Sequence, residues 1–504
     1  MDIIGGLLTG FQNLLHINII FYCFVGVFIG TLVGVLPGIG PVGAMSILLP
    51  STYGLSPTAS VVMLAGIYYG ACYGGSTTSI LVNIPGEAAS VVTCLDGYQM
   101  ARKGRAGPAL GISALGSFIG GTIAIVGLMF LVFPLASTAV KFGPAEFFAV
   151  MCLSMTLLTY LSAGPVLNSL IMIFFGLAIG CVGLDPIDAI PRFSFGAATL
   201  LDGFGLVPVV MGLFGISEVL TNIENPEERV VFQASIRNLL PSFADWKKSI
   251  GPILRASVMG FFLGILPGGG AVMSTFVSYT TEKKLSKHPE EFGQGAIEGV
   301  AGPETANNAA AGGAFVPMLA MGIPSNPLMA LLLGALIIHG INPGPLLVAQ
   351  HPDVFWGVIA SMYAGNVMLL ILNLPLVGMW IKVLKVPYKL LMPLILLCCL
   401  IGSYATGNNA MDIVVMVVFG VIGYILRKNK YESAPFVLAL VLGPLMETNF
   451  RNALIISDGS FMIFLTKPIS AVVLTISALV LLSTCFSTYN KTKTRIIKEA
   501  GTGD

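Results

Sequence analysis

The sequence predicts an all-α polytopic membrane protein built from two inverted-topology repeats with broken helices and re-entrant hairpins. Three observations predict it: a composition too apolar for a soluble domain, Gly/Pro motifs that recur in the same order, and basic residues that alternate between the halves. The 504 residues are 55% hydrophobic and 10% charged, with a mean hydropathy of +0.90. Soluble domains carry roughly 25% charged residues. A span needs about 20 apolar residues, and runs such as Leu110–Ala136, Val166–Leu184 and Val354–Ile381 follow one another closely. Window counting gives roughly ten to twelve crossings or half-crossings. The lipid bilayer is therefore the first expected partner. A net charge of +1 gives no sign of a nucleic-acid partner. The eight Cys are scattered through apolar runs without CxxC spacing and read as small buried hydrophobes. Met1–His16 has no Lys or Arg, so a cleavable signal peptide is not expected.

The repeat is read from three matches. Gly34-Val35-Leu36-Pro37-Gly38-Ile39-Gly40 recurs as Gly264-Ile265-Leu266-Pro267-Gly268-Gly269-Gly270. Gly74-Gly75 with Asn83-Ile84-Pro85-Gly86 resembles Gly312-Gly313 with Gly322-Ile323-Pro324-Ser325. Phe174–Gly180 resembles Val418–Gly423. Serial matches with slowly growing spacing indicate duplication. The expected division is a first repeat over 1–221 (hairpin tip near 36–40, broken helix near 74–87) and a connecting cytoplasmic segment over 222–249. A second repeat follows over 250–450 (hairpin tip near 266–270, broken region 303–326), then an extra helix and basic cytoplasmic tail over 451–504.

The positive-inside rule orients the halves. Basic clusters stand at Arg102-Lys103-Arg105, Lys283-Lys284-Lys287, Lys382-Lys385-Lys389, Arg427-Lys428-Lys430 and Lys491-Lys493-Arg495-Lys498. Their counterparts in the other half, Ser51–Pro57, Asn342–Asp353 and the segment holding Lys141, are nearly free of Lys and Arg. Inverted repeats produce that alternation, and it places the C-terminus in the cytoplasm. Parity makes Ile250–Tyr279 a hairpin tipped at Pro267–Gly270, and by symmetry Ile17–Leu49 one tipped at Pro37-Gly38.

Gly and Pro interrupt helices, and a broken backbone at bilayer depth is tolerated only where protein or a water-filled cavity satisfies it. Free N–H groups at half-helix N-termini favour anions, and unwound carbonyls can coordinate Na⁺. Polar residues cluster beside these breaks and are costly there unless paired or functional. The expected substrate-binding residues are Gly38, Gly40, Ser76, Thr77, Thr78, Asn83, Gly86, Gly268, Gly269, Gly270, Thr305, Asn307, Asn308, Pro324, Ser325 and Asn326. Those expected to couple an ion are Pro37, Asn83, Glu87, Pro267, Glu304 and Asn308. The competing reading of each polar residue is a helix–helix clasp, and of each Gly close helix packing. Asp96, with Arg102 nearby, is expected at a membrane interface. Glu146, Asp188, Glu218, Asp412 and Glu447 are isolated, and the four His read as surface residues. No Lys or Arg lies inside the motifs. A multivalent anion would then be balanced by helix N-termini and co-bound cations, with Na⁺ first and protonation of Glu87 or Glu304 second. No organic cofactor and no metal beyond Na⁺ is expected.

At these motifs the chain resembles the large membrane subunit of the tripartite tricarboxylate transporters. The resemblance is carried by Gly34–Gly40 with Pro41, by Tyr69-Gly70 through Tyr73-Gly74-Gly75-Ser76 to Ile80–Gly86, and by Pro303-Glu304-Thr305-Ala306-Asn307-Asn308-Ala309 running to Gly322-Ile323-Pro324. It covers nearly the whole chain, with one departure at Ser325, where the family pattern has Gly. The resemblance implies a bacterial inner-membrane symporter of di- or tricarboxylates such as citrate, working with a small membrane subunit and a periplasmic substrate-binding protein. It also implies elevator-type movement of a substrate-carrying domain past a scaffold. Rivals from other classes fare less well. The sequence has no HExxH, no rhomboid-type GxSG, no GxGD and no phosphate-loop Gly-Lys-Ser/Thr, which argues against a membrane enzyme or an ATP-driven pump. A carboxylate channel, or a proton-coupled permease working without Na⁺, is the alternative.

Overall fold

The computed structural model describes residues 3–36, 40–161, 165–224, 239–268, 270–384, 386 and 388–500, with side chains undescribed at 161, 388, 407 and 485–500. Pro37, Gly38 and Gly269 lie outside the described residues, as does 225–238 of the connecting segment. The described structure is almost wholly helical. Eight of its helices are long and apolar enough to cross a membrane, and four shorter apolar helices accompany them. The protein is a multi-pass membrane protein.

The chain forms two compact units. The first comprises Met1–Val140, Leu206–Ile265 and Gly270–Tyr424; the second comprises Lys141–Gly205, Leu266–Gly269 and Ile425–Asp504. At the centre of the first unit stand two helices, Pro57–Val82 and Glu298–Met321, buried on nearly every face. They are rich in Gly, Ala, Ser and Thr, which lets neighbours approach closely and gives them partners for hydrogen bonds. The helices Ile17–Val35 and Pro352–Asn373 pack on the first, and Ala106–Ala139, Phe243–Ile265 and Gly270–Leu285 on the second.

One packing device recurs in both helix pairs. A Cβ on Gly34 would lie 2.3 Å from the Ala71 carbonyl oxygen, and one on Gly264 2.2 Å from that of Ala310. Only a residue without a side chain permits backbones to meet so closely. Each of the two glycines opens a Gly-x-Leu-Pro-Gly motif.

Both central helices stop in the same way. Asn83 ends the first with φ 60° and ψ 27°, and Gly322 ends the second with φ 72° and ψ 22°. A left-handed residue followed shortly by Pro terminates a helix because the chain can neither continue the spiral nor donate the next hydrogen bond. The interruptions are therefore narrower than the sequence suggests. Residues 74–82 and 303–321 are helical, and only 83–87 and 322–326 are open. Pro303 and Pro317 sit inside a helix that is held from all sides, so tertiary packing outweighs the lost backbone bonds.

The second unit holds the helices Pro144–Leu161, Val166–Gly180, Ser433–Ile456 and Pro468–Ala500. It also holds a two-stranded antiparallel hairpin pairing Gly183 with Arg192 and Leu184 with Pro191. Asp188 and Glu447, isolated in the sequence, are paired here. Arg192 binds Glu447 through both oxygens (2.6 and 3.1 Å), and Arg451 binds Asp185 and Asp188. The backbone N–H groups of Asp188 and Ile187 and the Arg451 guanidinium together pull the Asp185 carboxyl down from 3.8 to about 2. Its contribution is complete above the unfolded value of 3.8 and is lost as pH falls through about 2. We therefore expect peptic cleavage at the exposed Phe193 and Phe195 to rise between pH 4 and pH 2. The difference from Asp185→Asn, which lacks the anion throughout, should vanish at the acid end.

Candidate functional site

The polar side chains of the two central helices face each other and interlock. Glu304, 1% exposed, receives a hydrogen bond from Ser76 on one carboxylate oxygen and from Thr93 on the other. Asn308 donates to the Ser117 hydroxyl at 2.8 Å and to the Glu304 carbonyl at 3.2 Å. Around one turn, Asn307 donates to Glu87 Oε1 at 2.6 Å, and the Cys72 thiol reaches Glu87 Oε2 at 3.8 Å. Thr78 donates to the Val35 carbonyl at 2.9 Å, tying the first central helix to the end of Ile17–Val35. Tyr73 donates to Asn366 Oδ1 at 2.7 Å, and Asn366 in turn donates to the Phe118 carbonyl at 2.9 Å.

Two carboxylates thus take part in the contacts of the two central helices, Glu304 sealed and Glu87 partly exposed. Among the described residues, no Lys, Arg or His bonds to either of them. An uncompensated buried carboxylate is costly, so the cluster suits a proton or a small cation. Beside Asn308 lies a cavity of about 20 Å³, lined by Tyr69, Gly121, Ile125, Gly312, Met362 and Asn366. That volume admits one water-sized group and not a tricarboxylate.

The structure sorts the expected residues. It gathers Ser76, Gly86, Glu87, Glu304, Asn307 and Asn308 around the cluster. Gly86 packs so tightly that a Cβ would lie 2.0 Å from the Gly34 carbonyl oxygen, which presses the 83–87 opening against the end of Ile17–Val35. Thr77 is buried in the same helix. The Thr305 hydroxyl bonds its own helix at the Ala301 carbonyl. Asn83 is exposed at the helix end. Gly40, with φ 67°, precedes the helix Pro41–Leu48 and has open space around it. Asn326 caps the helix Pro327–Ile338, accepting from the Met329 N–H at 3.0 Å and donating to the Tyr68 hydroxyl at 3.1 Å. Pro324 and Ser325 are buried, and Ser325 lies 3.4 Å from the Ala314 carbonyl oxygen it bonds. Serine is tolerated at 325 because the left-handed position is Gly322. Gly270 opens the helix Gly270–Leu285. Pro267 and Gly268 belong to the second unit, where Gly268 has φ 109° and packs on Leu158.

Asp96 is fully buried within the protein. Its Oδ1 accepts from the backbone N–H groups of Gly293, Gly295 and Ala296 at 2.7–2.9 Å, and Oδ2 accepts from the Tyr279 hydroxyl at 2.9 Å. A loop that curls its N–H groups around one oxygen solvates the carboxylate in place of water. Thr93 and Asp96 stand one turn apart on the helix Val91–Arg102. That spacing of polar residues on an otherwise apolar face was the available signal for both.

The chain matches the profile of the tripartite tricarboxylate transporter TctA family over residues 20–438. It is 48% identical over 476 residues to a 52.8 kDa Agrobacterium vitis protein described as lying in the TAR-I ttuC' 3' region, covering 94% of this chain and 95% of the relative. It is 53% identical over 212 residues to a second Agrobacterium vitis protein, from the TAR-II ttuC' 3' region, covering 42% of this chain and 88% of that relative. No solved structure matches it.

Proposed function

Since the chain belongs to the tripartite tricarboxylate transporter TctA family, and so is a component of a tricarboxylate transporter, we propose that it is the permease of a secondary active system. In this reading it imports di- or tricarboxylates such as citrate across a bacterial inner membrane, coupled to a cation, Na⁺ in the first place. A periplasmic substrate-binding protein delivers the cargo, and a small membrane subunit completes the complex. The observation that carries the reading is the interlocked cluster of Ser76, Thr93, Glu304, Glu87 and Asn307. It holds two carboxylates with no basic partner among the described residues, as a site that gains and loses a cation requires.

In this reading the labour is divided. The interior cluster serves the cation, and the openings at 83–87 and 322–326, with Gly40 ahead of Pro41–Leu48, offer backbone groups and the exposed Asn83 to the carboxylate. In the inverted-repeat reading, the paired helix ends at Asn83 and Gly322 and the paired close contacts of Gly34 and Gly264 are the two halves' matching parts. An elevator motion would carry both openings together.

The test is uptake of a panel of labelled di- and tricarboxylates by a strain lacking this gene, complemented with the gene and its partner subunits. Restored uptake of one or more carboxylates is expected, and Asn83→Ala should raise the half-saturating concentration while leaving the protein level unchanged. Complementation that restores no carboxylate uptake would overturn the proposal.

A further inference from the structure

Glu87 and Glu304 differ in a way that assigns them different parts. Glu304 is sealed, and each of its oxygens is already met by a hydroxyl from the other half of the chain. Glu87 is partly exposed at the 83–87 opening. Its closest polar partner is the Asn307 amide, and there the satisfaction is incomplete. Asn307 is fully buried, its Nδ2 is committed to Glu87, and its Oδ1 has no hydrogen-bond partner. A buried amide oxygen left without a donor costs about 1–3 kcal/mol, and such an atom in a native interior calls for a missing group. The group it lacks must be positive or proton-bearing. It must also be small, because the amide and the carboxylate are already in contact.

We propose that the coupling cation is seated between the Glu87 carboxylate and the Asn307 amide oxygen, and that Glu304 is a fixed clasp that does not exchange it. This rests on the cation-coupled reading above and adds which carboxylate turns over. The shared chemistry is a monovalent cation. Na⁺ would take Glu87 and Oδ1 as two of its oxygen ligands. A proton on Glu87 would be donated to Oδ1 once the amide turns over. The titratable groups facing Glu87 are Tyr68 and Cys72 on the helix Pro57–Val82 and Glu304 on Glu298–Met321. Tyr68, whose hydroxyl accepts from Asn326, and Cys72, whose thiol reaches Glu87, are uncharged side chains at neutral pH, so Glu304 is the one anionic neighbour among them.

The experiment is the melting temperature of the purified full-length chain in NaCl against choline chloride at equal ionic strength, repeated from pH 5 to pH 9. A cation that binds only the folded chain raises the melting temperature with its concentration. The expected result is a rise with Na⁺ that is lost in Glu87→Gln and in Asn307→Ala and kept in Glu304→Gln. Should Glu304→Gln fail to fold, Thr93→Val, which removes one of the donors to Glu304, is expected to keep it. If the wild type ignores Na⁺ but shows a pH-dependent rise that Glu87→Gln removes, the cation is the proton and the assignment stands. A cation response that survives Glu87→Gln, one lost in the Glu304 or Thr93 variant, or no response to either cation overturns it. Uptake that needs no cation would instead overturn the coupled-transport reading. Cation-dependent uptake that persists in Glu87→Gln removes this inference alone.

Discussion

Glu304→Ala is expected to bring carboxylate uptake to background while also destabilising the protein. The substitution removes the carboxylate acceptor of both Ser76 and Thr93; the Ser76 hydroxyl keeps the Cys72 carbonyl at 3.1 Å, and Thr93 is left without its acceptor. Each buried donor left unsatisfied costs about 1–3 kcal/mol, beyond the cavity left by the side chain. The loss is large because Ser76 and Thr93 belong to one half of the sequence and Glu304 to the other, so the contact joins the two central elements of the site. The checks are a thermal unfolding curve and uptake normalised to the amount of protein in the membrane. Ser76→Ala and Thr93→Val, each removing one donor and no acceptor, should be milder. If Glu304→Ala retains wild-type uptake, the Glu304 clasp is not required for transport.

The second large effect is expected at Gly86. An added methyl would stand 2.0 Å from the Gly34 carbonyl oxygen and 2.6 Å from the Gly75 Cα. All the atoms in the way are backbone, so no rotamer change relieves the clash, and overpacking of about 1–3 kcal/mol or more is the result. The opening at 83–87 must then lift from the helix end, carrying Glu87 away from Asn307. Gly86→Ala should therefore lower uptake at least about tenfold, the rate equivalent of about 1.4 kcal/mol, together with the melting temperature. Gly54→Ala, where a methyl meets nothing within 4 Å, should leave both unchanged and serves as the control. Equal behaviour of the two alanine variants would show that the close approach at Gly86 is not required.

Much of the site is legible in the sequence because membrane interiors make polar residues conspicuous. Ser76, Glu87, Glu304, Asn307 and Asn308 stand out as costly groups placed beside repeated helix-breaking motifs, and they meet in the structure. Thr93, Ser117 and Asn366 escape notice because each lies within a helix, outside the open segments 83–87 and 322–326. A lone hydroxyl or amide reveals its value only when its partner, 191 to 293 positions away, is known. The partners of Asp96 are hidden for a similar reason. Its solvation comes from backbone N–H groups of a distant loop, and backbone groups carry no residue-type signal. The helix ends teach a further point. The Gly/Pro reading overstates the interruption at Pro303, which lies inside the helix Glu298–Met321. There the surrounding helices keep the chain helical, and no local rule contains them.

The most direct test of cation-driven carboxylate import is uptake in sealed membrane vesicles containing the chain and its partner subunits. The binding protein and labelled substrate are supplied outside, and a Na⁺ gradient is imposed at clamped pH and voltage. The account predicts accumulation above the external concentration that collapses when the Na⁺ gradient is dissipated. If a proton gradient alone restores accumulation, the coupling ion is the proton. Substrate that merely equilibrates, at the same rate with and without either gradient, would contradict coupled transport and identify a passive pore.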